Sequence, residues 1–180
     1  MAFNVTEFRS NMVGDGARPN LFQVNLAFPL IADNAAVAGQ KITFMAKTAQ
    51  LPGSSVGTVP VYYFGRELKF AGNRTFPDWS LQIINDEDFV IRDALESWMN
   101  QINSHQSNIR NVNANNPVNY TVDAHVTQYG KTGNTLKQYD FVGLFPIDIA
   151  PIDLDWGSND TIEEYSVTFA YQYWTASTTS

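Results

Sequence analysis

Apolar and polar residues alternate along most of this chain, over stretches rich in β-branched and aromatic side chains, and that two-residue period predicts strands. The first covers residues 20–28 (NLFQVNLAF), with Leu21, Phe22, Val24 and Leu26 as its apolar members. Phe28-Pro29 closes it, because proline cannot donate to a ladder. After a polar, Ala-rich turn, residues 41–48 (KITFMAKT) place Ile42, Phe44 and Ala46 on one side of a second strand. Residues 50–60 are dense in Pro, Gly and Ser and read as a loop, and 61–71 return to a strand pattern broken by Gly65. Together they predict a long, projecting hairpin. Residues 79–84 (WSLQII) resume the alternation.

One segment has helical spacing. In residues 87–103, Ile91, Leu95, Trp98 and Ile102 recur at intervals of four, three and four, which makes a single stripe for burial. Asn85 or Asp86 is placed to cap its free N–H groups, and Glu87 and Asp88 sit at the positive end of its dipole. Residues 103–116 are polar and Asn-rich and read as loop. Residues 118–127 alternate cleanly, with Val118, Tyr120, Val122, Ala124 and Val126 opposite Asn119, Thr121, Asp123, His125 and Thr127. A turn at 130–133 leads to a partner strand at 136–144, and Tyr165, Val167, Phe169, Tyr171 and Tyr173 mark the last strand. The expected fold is mainly β within an α+β class, an antiparallel β-sandwich or barrel with one packed helix, formed by residues 1–180 as a single domain.

Composition narrows the chemistry. With no cysteine, disulfide scaffolds, thiolate metal sites and cysteine nucleophiles drop out. The first residues carry Glu7 and Arg9 and lack the apolar run of a secretory signal, so a soluble chain made in a cytoplasm is expected. Net charge is −7, and its placement matters more than its size, because no Lys or Arg follows Lys137. Asp140, Asp148, Asp153, Asp155, Asp160, Glu163 and Glu164 all lie beyond it. A nucleic-acid binder would show a basic stripe that releases counterions, so stable DNA binding is not expected.

No catalytic set stands out. His105 and His125 lack any HxH or HExxH spacing, and no GxSxG or glycine-rich phosphate loop occurs. Asp86, Glu87 and Asp88 are neighbours opening a helix, whereas glycosidase carboxylates face each other across a cleft. Residues 153–164 (DLDWGSNDTIEE) imitate a calcium loop at positions one, three and twelve but fail at five and six, where Gly157 and Ser158 stand. Trp79, Trp98, Trp156 and Trp174 read as core or subunit contact before any sugar platform. The expectation is therefore no enzyme, no metal and no cofactor.

Specific strings add a resemblance. ARPNLFQV (17–24) and GRELKFAGNRTFPDWSLQIINDED (65–88) are similar to the tail tube proteins of T4-like contractile-tailed bacteriophages. Leu51-Pro52-Gly53 ahead of Val59-Pro60-Val61, the Ser97-Trp98 pair, GLFP at 143–146 and LDWGSNDTIEEYSVTFAYQYW at 154–174 extend it in order along the chain. Departures lie in extra residues around 29–39, a longer loop at 103–116 and a polar tail after Trp174.

The resemblance implies a virion tail protein, assembled in the host cytoplasm, whose six-membered rings form a large multi-subunit β-barrel and stack into a hollow tube. Its partners would be copies of itself, the tail sheath, baseplate and tail terminator proteins, and double-stranded DNA passing through without stable binding. The family also resembles in fold the tube of type VI secretion systems. Lumen candidates are Asp123, Asp140, Asp148, Asp153 and Asp155, because an acidic wall repels phosphate. Candidates for contact between rings are Phe8, Arg9, Leu51, Pro52, Val59, Tyr62 and Tyr63, in the segment before Arg18 and the hairpin. A soluble β-sandwich module that binds sugar or protein, and the tube of a phage-derived secretion or killing device, stay open as alternatives.

Overall fold

The computed structural model describes residues 4–179. Helix α1 (Val5–Asn11) is capped by Asn4 and buries none of its residues. Strand β1 (Phe22–Leu26) follows the expected pattern, turning Val24 and Leu26 inward. It leads to helix α2 (Ala35–Met45) and the short strand β2 (Ala46–Ala49). Strands β3 (Ser55–Tyr63) and β4 (Arg66–Thr75) form a hairpin, and β5 (Trp79–Ile84) precedes helix α3 (Val90–Ile102). After the four-residue helix α4 (Pro117–Tyr120) come β6 (Val122–Tyr129), β7 (Thr135–Ile149), β8 (Glu164–Ala170) and β9 (Tyr173–Ala176).

Every strand pairing is antiparallel. The main sheet runs β1-β6-β7-β8-β5-β2, with β9 also on β7. β8 and β9 act as one interrupted strand, since β7 pairs with β9 over Tyr139–Val142 and with β8 over Phe145–Ile149. Where β7 passes from one partner to the next, Gly143 takes a φ of 67° and forms a bulge that bends the strand. The bend divides the sheet into a β1-β6-β7-β9 half and a β7-β8-β5-β2 half. The sheet curls around its core but does not close, because β1 and β2 at its two ends are not hydrogen-bonded to each other.

The core forms because inward positions of both halves meet the helices. Trp79 stacks at 4.6 Å from Phe141 and 5.7 Å from Phe169, and Trp98 of α3 approaches Phe28 and Phe169. Trp98 is fully buried, and its indole N–H donates to the Tyr120 carbonyl at 2.8 Å, so its one polar atom is satisfied. Ile91, Ala94 and Leu95 complete the helical stripe, with Ile102 half-buried at its end.

Several expectations are corrected. Residues 41–45 are helix where the alternation reads as strand, so two helices of more than one turn pack on the sheet, not one. Ala38 and Ile42 are buried one turn apart while Phe44 is exposed, a helical and not an alternating pattern. Packing against β1 outweighs the strand preference of Ile42, Thr43 and Phe44. Residues 55–60 are strand and not loop, because a two-stranded hairpin leaves both outer edges free and tolerates Pro60 there. Helix α3 starts at Val90 and lacks a side-chain cap. In the preceding turn, where Phe89 has a φ of 52°, Asp86 accepts from the Glu87 N–H, and Asp88 accepts from the N–H of Val90, the first helical residue. Residues 117–120 are a helical turn that Asn116 caps, and the strand begins at Val122.

Candidate assembly surfaces

The β3–β4 hairpin makes almost no contact with the body. All its residues are exposed except half-buried Gly72. A two-residue turn at Phe64-Gly65, with φ of 45° and 79°, matches the twist of the flanking strands. Register fixes what each face carries. Val59 pairs with Phe70, Val61 with Leu68 and Tyr63 with Arg66, so these six side chains share one face. Pro60 with Lys69 and Tyr62 with Glu67 form the other, where Lys69 and Glu67 lie 3.9 Å apart. One face of a free-standing ribbon is thus almost wholly apolar and has no partner among the described residues. A soluble monomer rarely shows such a patch unless it is covered by something else.

The predicted contact residues fall unevenly across this picture. Val59 and Tyr63 lie on the apolar face and Tyr62 on the opposite one. Leu51 is exposed and Pro52 half-buried at the hairpin root, where Gln50 and Gly53 carbonyls accept from the indoles of Trp79 and Trp174. Phe8 and Arg9 lie on α1, where Val5, Phe8 and Met12 make an exposed apolar stripe. Residues 1–3 of that N-terminal candidate segment lie outside the described residues. Sequence reasoning missed Phe64, 92% exposed at the tip, and the Leu68 and Phe70 positions of the apolar face. Their signal was available, since Leu68 and Phe70 alternate with Glu67 and Lys69.

The five lumen candidates do not share a surface. Asp123 and Asp140 point outward from the β1-β6-β7-β9 half, on either side of His125, whose Nδ1 lies 3.5 Å from Asp140. Asp123 also accepts from the Gly143 N–H at 3.0 Å, holding the bulge. Asp148 lies on the outer face of the other half, in a row with Thr168 and Ser80. Asp153 and Asp155 belong to the irregular segment between β7 and β8, both exposed. Asp155 accepts from the Gly157 N–H in a local turn.

The two half-sheets differ at their edges. α2 covers the β1 edge, its Gly39 lying against the Leu26 carbonyl. By contrast, among the described residues β2 pairs only with β5, and β7 beyond Leu144 only with β8, so the β7-β8-β5-β2 half has an unpaired edge at each side. Its outer face carries Thr48, Ser80, Gln82, Asp148, Ser166 and Thr168. Its cation, Lys47, is neutralised by Glu164 at 2.5 Å, and Gln82 donates to the same carboxylate.

Polar chemistry elsewhere is structural. Lys41 of α2 bridges Asp86, at 2.7 Å, and Asp88, tying the helix to the turn before α3. These hydrogen bonds hold both carboxyls below their ordinary range and push the Lys41 ammonium up. Tyr165 is buried under the Arg92 guanidinium, 5.1 Å from its ring centre, and burial raises its phenol well above the usual value. Among the described residues no group of three or more His, Asp or Glu converges as a metal site would require.

Comparison with known proteins places this architecture. The family model described as "Phage tail tube protein" matches residues 17–177. The tail tube protein gp19 of Enterobacteria phage T4 is 36% identical over 162 residues, covering 89% of this chain and 92% of that one. The tail tube protein of Serratia phage KSP90 is 27% identical over 169 residues, 93% of each chain. In fold, the chain is similar to one in the sheath-tube complex of an extracellular contractile injection system, with a TM-score of 0.59, 15% identity and 97% of this chain and 98% of that chain covered. A chain from the tube terminating cap of the anti-feeding prophage gives a TM-score of 0.63 at 16% identity, over 92% of this chain and 93% of that chain. Since the family model spans nearly the whole described fold, this chain belongs to the phage tail tube protein family and is a structural component of the virion tail.

Proposed function

We propose that this chain, acting as a single tube domain, closes with copies of itself into six-membered rings. The rings stack into the hollow inner tube of a contractile tail. The observation that carries this reading is the half-sheet with an unpaired edge at each side among the described residues, whose outer face presents Ser, Thr, Gln and Asp side chains and no uncompensated cation there. Edge strands of this kind pair with other chains unless something blocks them. Four strands from each of six subunits, spaced about 4.8 Å and tilted about 40°, give a wall roughly 48 Å across, wide enough for duplex DNA after side chains narrow it. Lining it are Asp148 and the Ser, Thr and Gln side chains of the same face, which offer no free cation to neutralise phosphate. Asp123 and Asp140 then face outward, away from the channel.

The apolar hairpin face and the α1 stripe provide contacts between successive rings, a head-to-tail arrangement that leaves an open end for the next layer. The sheath surrounds this tube, with the baseplate and terminator at its ends, and genomic DNA passes through on ejection. The role requires no turnover. Electron microscopy of the purified chain, with and without a baseplate seed, tests it: hollow rods of uniform width are expected, whereas monomers under every condition would refute it.

A further inference from the structure

The hairpin and the acidic segment at residues 150–163 leave the body at opposite ends of the same strand pair. β2 exits and β4 returns at the Trp79 end of β5, where Gln50 meets the Trp79 indole. β8 begins at the other end, where Ile84 pairs with Glu164 and Asn85 donates to the Glu163 carbonyl. Strands of nine and ten residues carry the hairpin tip about 30 Å from its root. It does not fold back on the body, since nearly every residue in it is exposed.

The two surfaces are complementary in charge and in apolar content. Residues 55–75 hold Arg66, Lys69 and Arg74 against the single acid Glu67. Arg66 sits on the apolar face itself, with no carboxylate in ion-pair range among the described residues. Residues 150–163 hold Asp153, Asp155, Asp160 and Glu163 and no cation. That segment also exposes Leu154, Ile162 and Trp156, the last completely. A fully exposed tryptophan next to carboxylates that make no ion pair among the described residues matches an apolar ribbon edged by an arginine in the same state.

We infer that the apolar face of the β3–β4 hairpin docks on the 153–162 segment of a second copy of this chain, in the next ring along the tube. This rests on the ring-stack reading above and names its receptor. Because donor and receptor lie at opposite ends of one strand pair, the contact is heterologous and propagates without closing.

Two experiments test it on the full chain. Arg66→Glu, and separately Asp153→Lys with Asp155→Lys, should each lower rod yield about tenfold, and combining the three should restore it, as coupled charges do. In the cysteine-free background, Tyr63→Cys with Trp156→Cys should give, on oxidation, a ladder of multimers that reductant dissolves. Rods from the unmodified chain without rescue by the combined set would overturn the pairing and leave the tube standing. No rods from the unmodified chain would overturn the tube reading itself. Cross-linked dimers alone would mean hairpin meets hairpin, and normal rods that lose sheath binding in the aspartate variant would assign the segment to the sheath; either result sinks the inference.

Discussion

Single side chains show why this fold tolerates so much exposed apolar surface. Trp98 is fully buried between sheet and helix and has its N–H satisfied, so truncation leaves both a cavity and an unpaired Tyr120 carbonyl. Trp98→Ala is expected to cost about 3–5 kcal/mol, read as a shift in the denaturant midpoint. Lys41 gives a sharper test because its linkage has a sign. The Asp86 and Asp88 carboxyls lie below their ordinary value of 3.8, so their stabilisation is present above that pH and fades as pH falls through the lowered values. Lys41 itself is raised above 10.5, so its share persists up to that pH and is lost beyond it. Lys41→Met should therefore be less stable than the parent from roughly pH 4 to 10, with the difference shrinking on the acid side. A constant difference down to pH 2 would contradict this.

Elements divide by how they acquire their structure. β1, β5, the core of β6 and the stripe of α3 were legible because burial on one face imposes a period that composition cannot hide. α2 was not, since two buried positions, Ala38 and Ile42, are too few to set a period, and its place is fixed by β1 and by the Lys41 bridge. The turn at 117–120 left a readable sign, an Asn cap before a proline at the first helical position, which the alternation of Val118 and Tyr120 masked. The hairpin was half legible. Its projection was visible, but its Gly and Pro content concealed that residues 55–60 are strand. Replacing residues 55–75 by a short Gly-Ser linker should leave the melting temperature nearly unchanged, because the hairpin buries little against the body, while abolishing long rods. A variant that still forms long rods would remove the hairpin from assembly.

The whole molecule explains what residues and elements leave open. The composition indicated an acidic C-terminal part, yet only topology shows that its carboxylates occupy three different places: outward with His125, on the β7-β8-β5-β2 face, and in the segment beyond β7. Which of these faces a channel depends on which edges are free, and edge pairing has no local sequence signal. On this account Asp148→Lys slows DNA ejection or leaves DNA in the tubes, whereas Asp140→Lys does not, measured by ejection kinetics from particles carrying each variant. The reverse order would place the other half-sheet at the lumen.

A helical reconstruction of the assembled rods decides which surface lines the channel. It should show six chains per ring around a channel wider than duplex DNA, lined by Ser80, Gln82, Asp148, Ser166 and Thr168, with β2 of one chain beside β7 of its neighbour. A solid fibre, or a channel walled by lysine and arginine, would contradict it.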